Sequence, residues 1–267
     1  MEDRTVILTM IFDEAWARPG SVLDLFLESF RLGQGTKRLL NHLMIITLGT
    51  RAFRHCNAMH PHCFPPKPYG LKKGPLVLDH LMVQRKANDL LLQVLKLGYS
   101  FVFTEADVMW LSPFADIHPS YEITIPCDLS SDASQNRSNK QGRGLFCVRA
   151  NARTTELLRY WKVWGTLYPN SSVESLCEVL KDQKEVTETF DVRIKYLDAS
   201  YFGGFCRGGS KNISKAYTLQ ANCCHNVEEK VYDLRLVLED WKIFKARSIK
   251  NNSGIVRSRT IQELCPL

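Results

Sequence analysis

Glu105 and Asp107 are the side chains whose types and spacing best suit chemistry. They follow Tyr99 to Thr104, a short apolar run rich in aromatic and β-branched residues, which reads as a strand buried on both faces of a sheet. Side chains alternate faces along extended backbone, so these carboxylates leave it on the same side. Such a pair can hold a hard divalent cation, which takes oxygen ligands and completes its shell with water and phosphate oxygens. Acids at strand ends are usually solvated turn residues, and on spacing alone that reading comes first. Trp110 to Pro113, however, keeps the segment apolar beyond them, unlike an ordinary polar turn.

Other groups able to serve such a site are spread along the chain. Arg85, near the start of an amphipathic stretch, is either a solvated helical cation or a group aimed at phosphate. Glu174 is a further candidate carboxylate, yet Ser171-x-x-Glu174 is also a capping box, and that structural reading comes first. His55 to Tyr69 (HCNAMHPHCFPPKPY) is dense in His, Cys and Pro, but its ligand types lie too close together for a common structural zinc site. It reads as a rigid surface loop, with Cys56 available for a disulfide.

The elements that must position these groups alternate in type. Thr5 to Phe12 and Leu43 to Leu48 are apolar strands. Between them a helix opens at Ser21 and Asp24 and carries Leu23, Phe26, Leu27 and Phe30 on one face. Strand, helix, strand is the opening of a βαβ unit and predicts a parallel sheet. Asp79 to Gly98 is an amphipathic helix with Gly98 where a left-handed cap residue belongs. Tyr121 to Cys127 and Leu145 to Ala150 are further strands, and Asp128 to Gly144 between them is a polar loop that reads as a mobile flap over the site. Asn151 caps a helix running to about Leu167, and a second helix begins near Ser171. Val192 to Tyr196 and Tyr217 to Leu219 are short strands flanking the glycine-rich stretch Tyr201 to Gly209, where the backbone can approach a neighbour closely. Val227 to Phe244 is a strongly amphipathic helix.

A chain of 267 residues accommodates one α/β domain with a full core, and its 45% hydrophobic and 24% charged shares exclude a disordered or fibrous protein. The division is a domain over 1–245 and a basic, flexible end over 246–267. The net charge of +7 favours anionic partners such as nucleotide sugars, acidic glycans or membrane surfaces. The basic end has no interleaved aromatics, which argues against nucleic acid as a partner. Nine scattered cysteines and sequons at Asn136, Asn170, Asn212 and Asn251 point to an oxidising compartment. The opening MEDRTVILTM is no signal peptide and no apolar run is long enough to span a bilayer. The expectation is therefore either a lumenal domain whose anchor lies outside this chain or, if Met1 is the native start, a cytosolic protein.

The blocks TVILTMIFDEAWARPGSVLDLFLESF, HLMIITL, LGYSFVFTEADVMWLSPF, SYFGGFCRG and ANCCHNVEEKVYDLRLVLEDWKIF, in this order, resemble the plant nucleotide-diphospho-sugar transferase family. Its members include cell-wall arabinosyltransferases and rhamnogalacturonan xylosyltransferases. The resemblance implies a GT-A type fold, a Rossmann-like mixed sheet flanked by helices. It also implies a UDP-sugar donor, with a pentose as the sugar, a glycan or glycoprotein acceptor, retention of configuration, and Mn2+ or Mg2+ held by a DxD motif. A type II membrane anchor in the Golgi would lie upstream.

Position by position, the DxD motif falls on Glu105, Ala106 and Asp107. The resemblance makes Asp107 the metal ligand and catalytic carboxylate that bridges to the diphosphate, and lets Glu105 ligate or bind the ribose. Arg85 matches an arginine that serves the phosphates, and Asp13 stands where an asparagine usually meets the nucleotide. Gln220 replaces a histidine of the metal shell, and a carboxamide oxygen is the weaker donor to a transition metal. Arg143, in QGRGLF, puts a positive charge where the family faces sugar. These departures leave two readings: an active transferase, or a degenerate member that binds nucleotide, glycan or a partner enzyme without turnover.

Overall fold

A computed structural model describes residues 4–65, 80–113, 120–127, 144–167, 176–180, 183–198, 200–204, 213–222, 224 and 226–249. In chain order, β1 (Thr5–Ile11) leads to α1 (Val22–Leu32), β2 (Leu43–Thr47), α2 (Thr50–Met59) and β3 (Cys63–Phe64). Then come α3 (His80–Lys96), β4 (Ser100–Thr104), β5 (Val108–Trp110), β6 (Ile123–Ile125) and β7 (Leu145–Val148). The helices α4 (Ala152–Leu167), α5 (Leu176–Val179) and α6 (Gln183–Phe190) precede β8 (Ile194–Tyr196), β9 (Phe202–Gly204), β10 (Thr218–Gln220) and α7 (Val227–Ile249).

The main sheet has 7 strands in the order β3-β2-β1-β4-β7-β6-β8. β1 lies parallel to both β2 and β4, as a βαβ opening requires. β7 runs antiparallel to β4 and β6, so the sheet is mixed. Alternation along the strands feeds two cores. Ile7, Ile11, Val102, Leu145 and Cys147 face α1, α7 and a small second sheet, whereas Leu8, Met10, Phe101, Phe103, Phe146 and Val148 face α3, α4 and α6. The result is the Rossmann-like, GT-A type mixed sheet between helices.

The second sheet, ordered β5-β10-β9, brings distant parts of the chain together beside the end of β4. β10 pairs antiparallel with β5, Gln220 opposite Val108, and parallel with β9. α1 anchors this sheet from below. The buried Ser29 hydroxyl accepts the Trp110 backbone N–H at 3.0 Å, and the Phe30 ring stacks on the Trp110 indole at 4.9 Å. Trp241 of α7 donates its indole N–H to the Leu32 carbonyl at 3.2 Å, which ties the last helix to the first.

Several elements differ from expectation. His55 and Cys56 belong to α2 rather than to a loop, and Cys56 is bonded to Cys63 of β3. The prolines begin only at Pro61, beyond the helix end at Met59, so they limit α2 at its C-terminus without preventing its formation from Thr50. His60 is buried against the Leu43 carbonyl at 2.8 Å; burial drives its pKa down, which the bond to that carbonyl only partly offsets, so it is a neutral packing residue. Ser21 does not cap α1 with its side chain but donates to the Ala15 carbonyl at 2.7 Å, while Asp24 accepts from the Gly20 N–H at 2.6 Å. Gly98, at φ 79°, takes the left-handed conformation expected after α3, and Asn151 caps α4 through the Thr154 N–H at 2.9 Å. α7 continues through Ile249, beyond the expected helix end at Phe244 and past the boundary at 245. The stretch 128–143 expected to form a flap, the helix start near Ser171, and the remaining tail from 250 lie outside the described residues.

Candidate functional site

The acidic pair sits where β4 turns into β5. The Glu105 N–H donates to the Gly144 carbonyl at 2.7 Å, and the Val108 N–H closes a tight turn onto the Glu105 carbonyl at 3.2 Å. Ala106 between the two acids is fully buried in the core, and Glu105 to Asp107 form a turn rather than extended backbone, so the expected strand alternation does not hold here; the two side chains meet through the turn and through their shared partner. Asp107 is 1% exposed, and the Ala221 N–H donates to its carbonyl at 3.1 Å from β10.

Both carboxylates converge on one amide. The Gln220 Nε2 donates to Glu105 Oε2 at 2.7 Å and to Asp107 Oδ1 at 3.3 Å. Gly144 makes room for it: a Cβ there would lie 2.4 Å from the Gln220 carboxamide atoms. Three of the expected site residues, Glu105, Asp107 and Gln220, are thus brought together.

The other oxygen of Asp107 is taken by a residue that the sequence did not single out. Lys230, in the first turn of α7, places its Nζ 2.5 Å from Asp107 Oδ2 and 4.8 Å from the centre of the Trp16 ring. Its side chain is 13% exposed. Asn226 sets this turn by accepting from the Glu229 N–H and donating to the Glu229 carboxylate, each at 2.8 Å. A lysine on an amphipathic helix gives no sequence signal of its own; only the pairing of β10 with β5 carries the start of α7 to Asp107.

The remaining candidates stand apart. Asp13 is exposed and caps the short 3-10 helix Glu14–Ala17, accepting from the Ala15 N–H at 2.8 Å. That turn also supplies Trp16, so the loop after β1 borders the site. Arg85 is exposed on α3, and among the described residues no hydrogen bond or ion pair joins it to the carboxylates. Glu174 and Arg143 lie outside the described residues.

The donor set suits a hard divalent cation. Two carboxylates reach a single point in the volume filled by the Gln220 amide, and turning that carboxamide over would offer Oε1 as a third oxygen. Among the described residues no third His, Cys, Asp or Glu joins them.

The profile of the nucleotide-diphospho-sugar transferases matches residues 38–234. The chain belongs to this family. An uncharacterized protein of Arabidopsis thaliana is 33% identical over 99% of this chain and 70% of its own length. A second Arabidopsis thaliana protein, also uncharacterized, is 32% identical over 93% and 77%. Among solved structures, a glycosyltransferase involved in glycosylation of the major capsid of PBCV-1 is 11% identical, with 86% of this chain and 98% of that one covered at a TM-score of 0.48. Mouse xyloside xylosyltransferase 1 is 11% identical over 82% and 98%, at a TM-score of 0.43. The matched region spans the acidic pair and Lys230.

Proposed function

We propose that the protein transfers a sugar, a pentose by family resemblance, from a UDP-sugar to a cell-wall glycan or glycoprotein with retention of configuration. The observation that carries this reading is the convergence of Glu105, Asp107 and Gln220 at the end of β4 in a nucleotide-diphospho-sugar transferase. Asp107 and Glu105 would hold Mn2+ or Mg2+, with Gln220 as a further oxygen ligand. A cation there offsets the charge that builds on the departing diphosphate. Asp13 and Arg85 extend the nucleotide site by resemblance, Glu174 remains an additional candidate near the sugar, and no general base is assigned. Disulfides Cys56–Cys63 and Cys127–Cys177, with Cys224 also disulfide-bonded, support a lumenal setting in the Golgi. Among the described residues no helix is long and apolar enough to cross a membrane, and the anchor would lie outside this chain.

One observation favours the second reading, binding without turnover: an ammonium and an amide already neutralise Asp107. Calorimetric titration of UDP with and without Mn2+, followed by assay of UDP-sugar hydrolysis, separates the two. Metal-dependent UDP binding with hydrolysis supports a transferase, metal-dependent binding without hydrolysis supports a degenerate member that keeps its nucleotide site, and no UDP binding by folded protein removes the transferase and leaves a degenerate member that binds glycan or a partner enzyme.

A further inference from the structure

Lys230 forms an ion pair that is well made yet built for exchange. Its Nζ lies 2.5 Å from Asp107 Oδ2 while Gln220 donates to Oδ1 at 3.3 Å, so both oxygens of this carboxylate already have a partner. An ammonium is a point charge on a flexible four-carbon stem, and it can leave without moving its helix. That helix is fixed independently, by the Asn226 cap and by the Trp241 contact with Leu32. The Trp16 ring flanks the Lys230 ammonium and keeps the charge near the loop after β1.

We propose that Lys230 is a displaceable counter-ion: it neutralises Asp107 while the donor site is empty and passes to the donor's diphosphate when Asp107 takes a divalent cation. This rests on the donor-site reading given above. A divalent cation on Asp107 would repel the ammonium paired to the same buried carboxylate, so metal binding favours release of Lys230. The released ammonium is then beside the phosphate oxygens, where it makes a charge-assisted hydrogen bond. Metal and nucleotide thereby favour one another, and metal alone binds poorly.

The test is titration of the protein with Mn2+, followed by the electron paramagnetic resonance signal of the free ion, for wild type, Lys230→Met and Lys230→Arg. Without nucleotide, Lys230→Met should bind Mn2+ about tenfold more tightly than wild type, because no ammonium competes. With saturating Mn2+ it should bind UDP about tenfold more weakly, having lost a charged donor. Lys230→Arg should keep the weak metal binding of wild type. In wild type itself, saturating UDP should raise Mn2+ affinity at least about fivefold. Equal or weaker Mn2+ binding by Lys230→Met overturns the proposal, as does wild-type Mn2+ affinity indifferent to UDP should the Met variant fail to fold. A folded wild type that binds neither Mn2+ nor UDP overturns the donor-site reading as well.

Discussion

Two buried carboxylates in this protein are neutralised in opposite ways. Glu122, just before β6, accepts from the Arg193 backbone N–H at 2.8 Å, from the Arg193 guanidinium at 3.3 and 3.2 Å, and from Arg153 at 3.2 Å. Arg153 is itself held by Asp191 at 2.6 Å. Planar, multiply bonded arginines fix their partner's geometry, and the backbone donor cannot leave. Asp107 has one lysine and one carboxamide, both of which can swing away. The first arrangement joins β6 to β8 and the start of α4; the second sits at the proposed donor site. Both acids are buried; what differs is whether their partners are fixed or displaceable, and the proposed role falls on the one with displaceable partners.

Exchange between the two sites should separate binding from stability. Asp107→Ala should cost at least about a hundredfold in Mn2+-dependent UDP affinity by calorimetry. Glu122→Ala should leave UDP binding unchanged but destabilise the fold by about 2 kcal/mol in urea denaturation. That is less than the 3–5 kcal/mol expected on breaking a fully buried pair, because both arginines are about half exposed. A comparable loss of UDP affinity in Glu122→Ala would erase the distinction.

Acid titration sharpens it. Burial pushes the Glu122 carboxyl pKa up, but the Arg193 side-chain and backbone hydrogen bonds and the charges of Arg193 and Arg153 outweigh it and hold the group below the usual glutamate range. A pKa depressed in the folded state gives stability that is complete above the unfolded value, near 4.3, and is lost as pH falls through the folded value. Glu122→Gln should therefore flatten the stability profile below about pH 4.3. An unchanged acid limb in that variant would mean that Glu122 contributes nothing to it. The smallest effect is expected at Gly144. Its alanine variant would put a methyl 2.4 Å from the Gln220 carboxamide, and we expect a stability loss of about 1 kcal/mol together with a few-fold loss of UDP affinity.

Most of the scaffold was legible because its strands are dense apolar runs. TVILTMI and SFVFT could hardly be anything but buried strands, but the acids beyond Thr104 lie in a turn, where strand alternation gave no guide to the burial of both Ala106 and Asp107. FGG, by contrast, is weak as a strand because of its two glycines; β9 exists because Phe202 to Gly204 pair with Thr218 to Gln220, and Gly204 lets the Asn222 side chain approach within 2.7 Å of where a Cβ would stand. α2 was hidden by the prolines and cysteines that follow Met59. Gln220 reached the candidate list through family resemblance, since no spacing rule links it to Asp107. Lys230 was illegible for the same reason in stronger form: its partner is made by tertiary folding alone.

The Asp107–Lys230 pair joins residues separated by 123 positions. At ordinary ribosomal speeds of 5–20 residues per second, the lysine emerges roughly 6 to 25 s after the aspartate it will neutralise. For that interval the nascent chain carries a carboxylate bound for the interior with no cation to meet it, and β5 lacks its neighbour β10. The site is therefore among the last parts of the molecule to become whole, and a partly synthesised chain offers helper proteins an unfinished sheet edge while it waits.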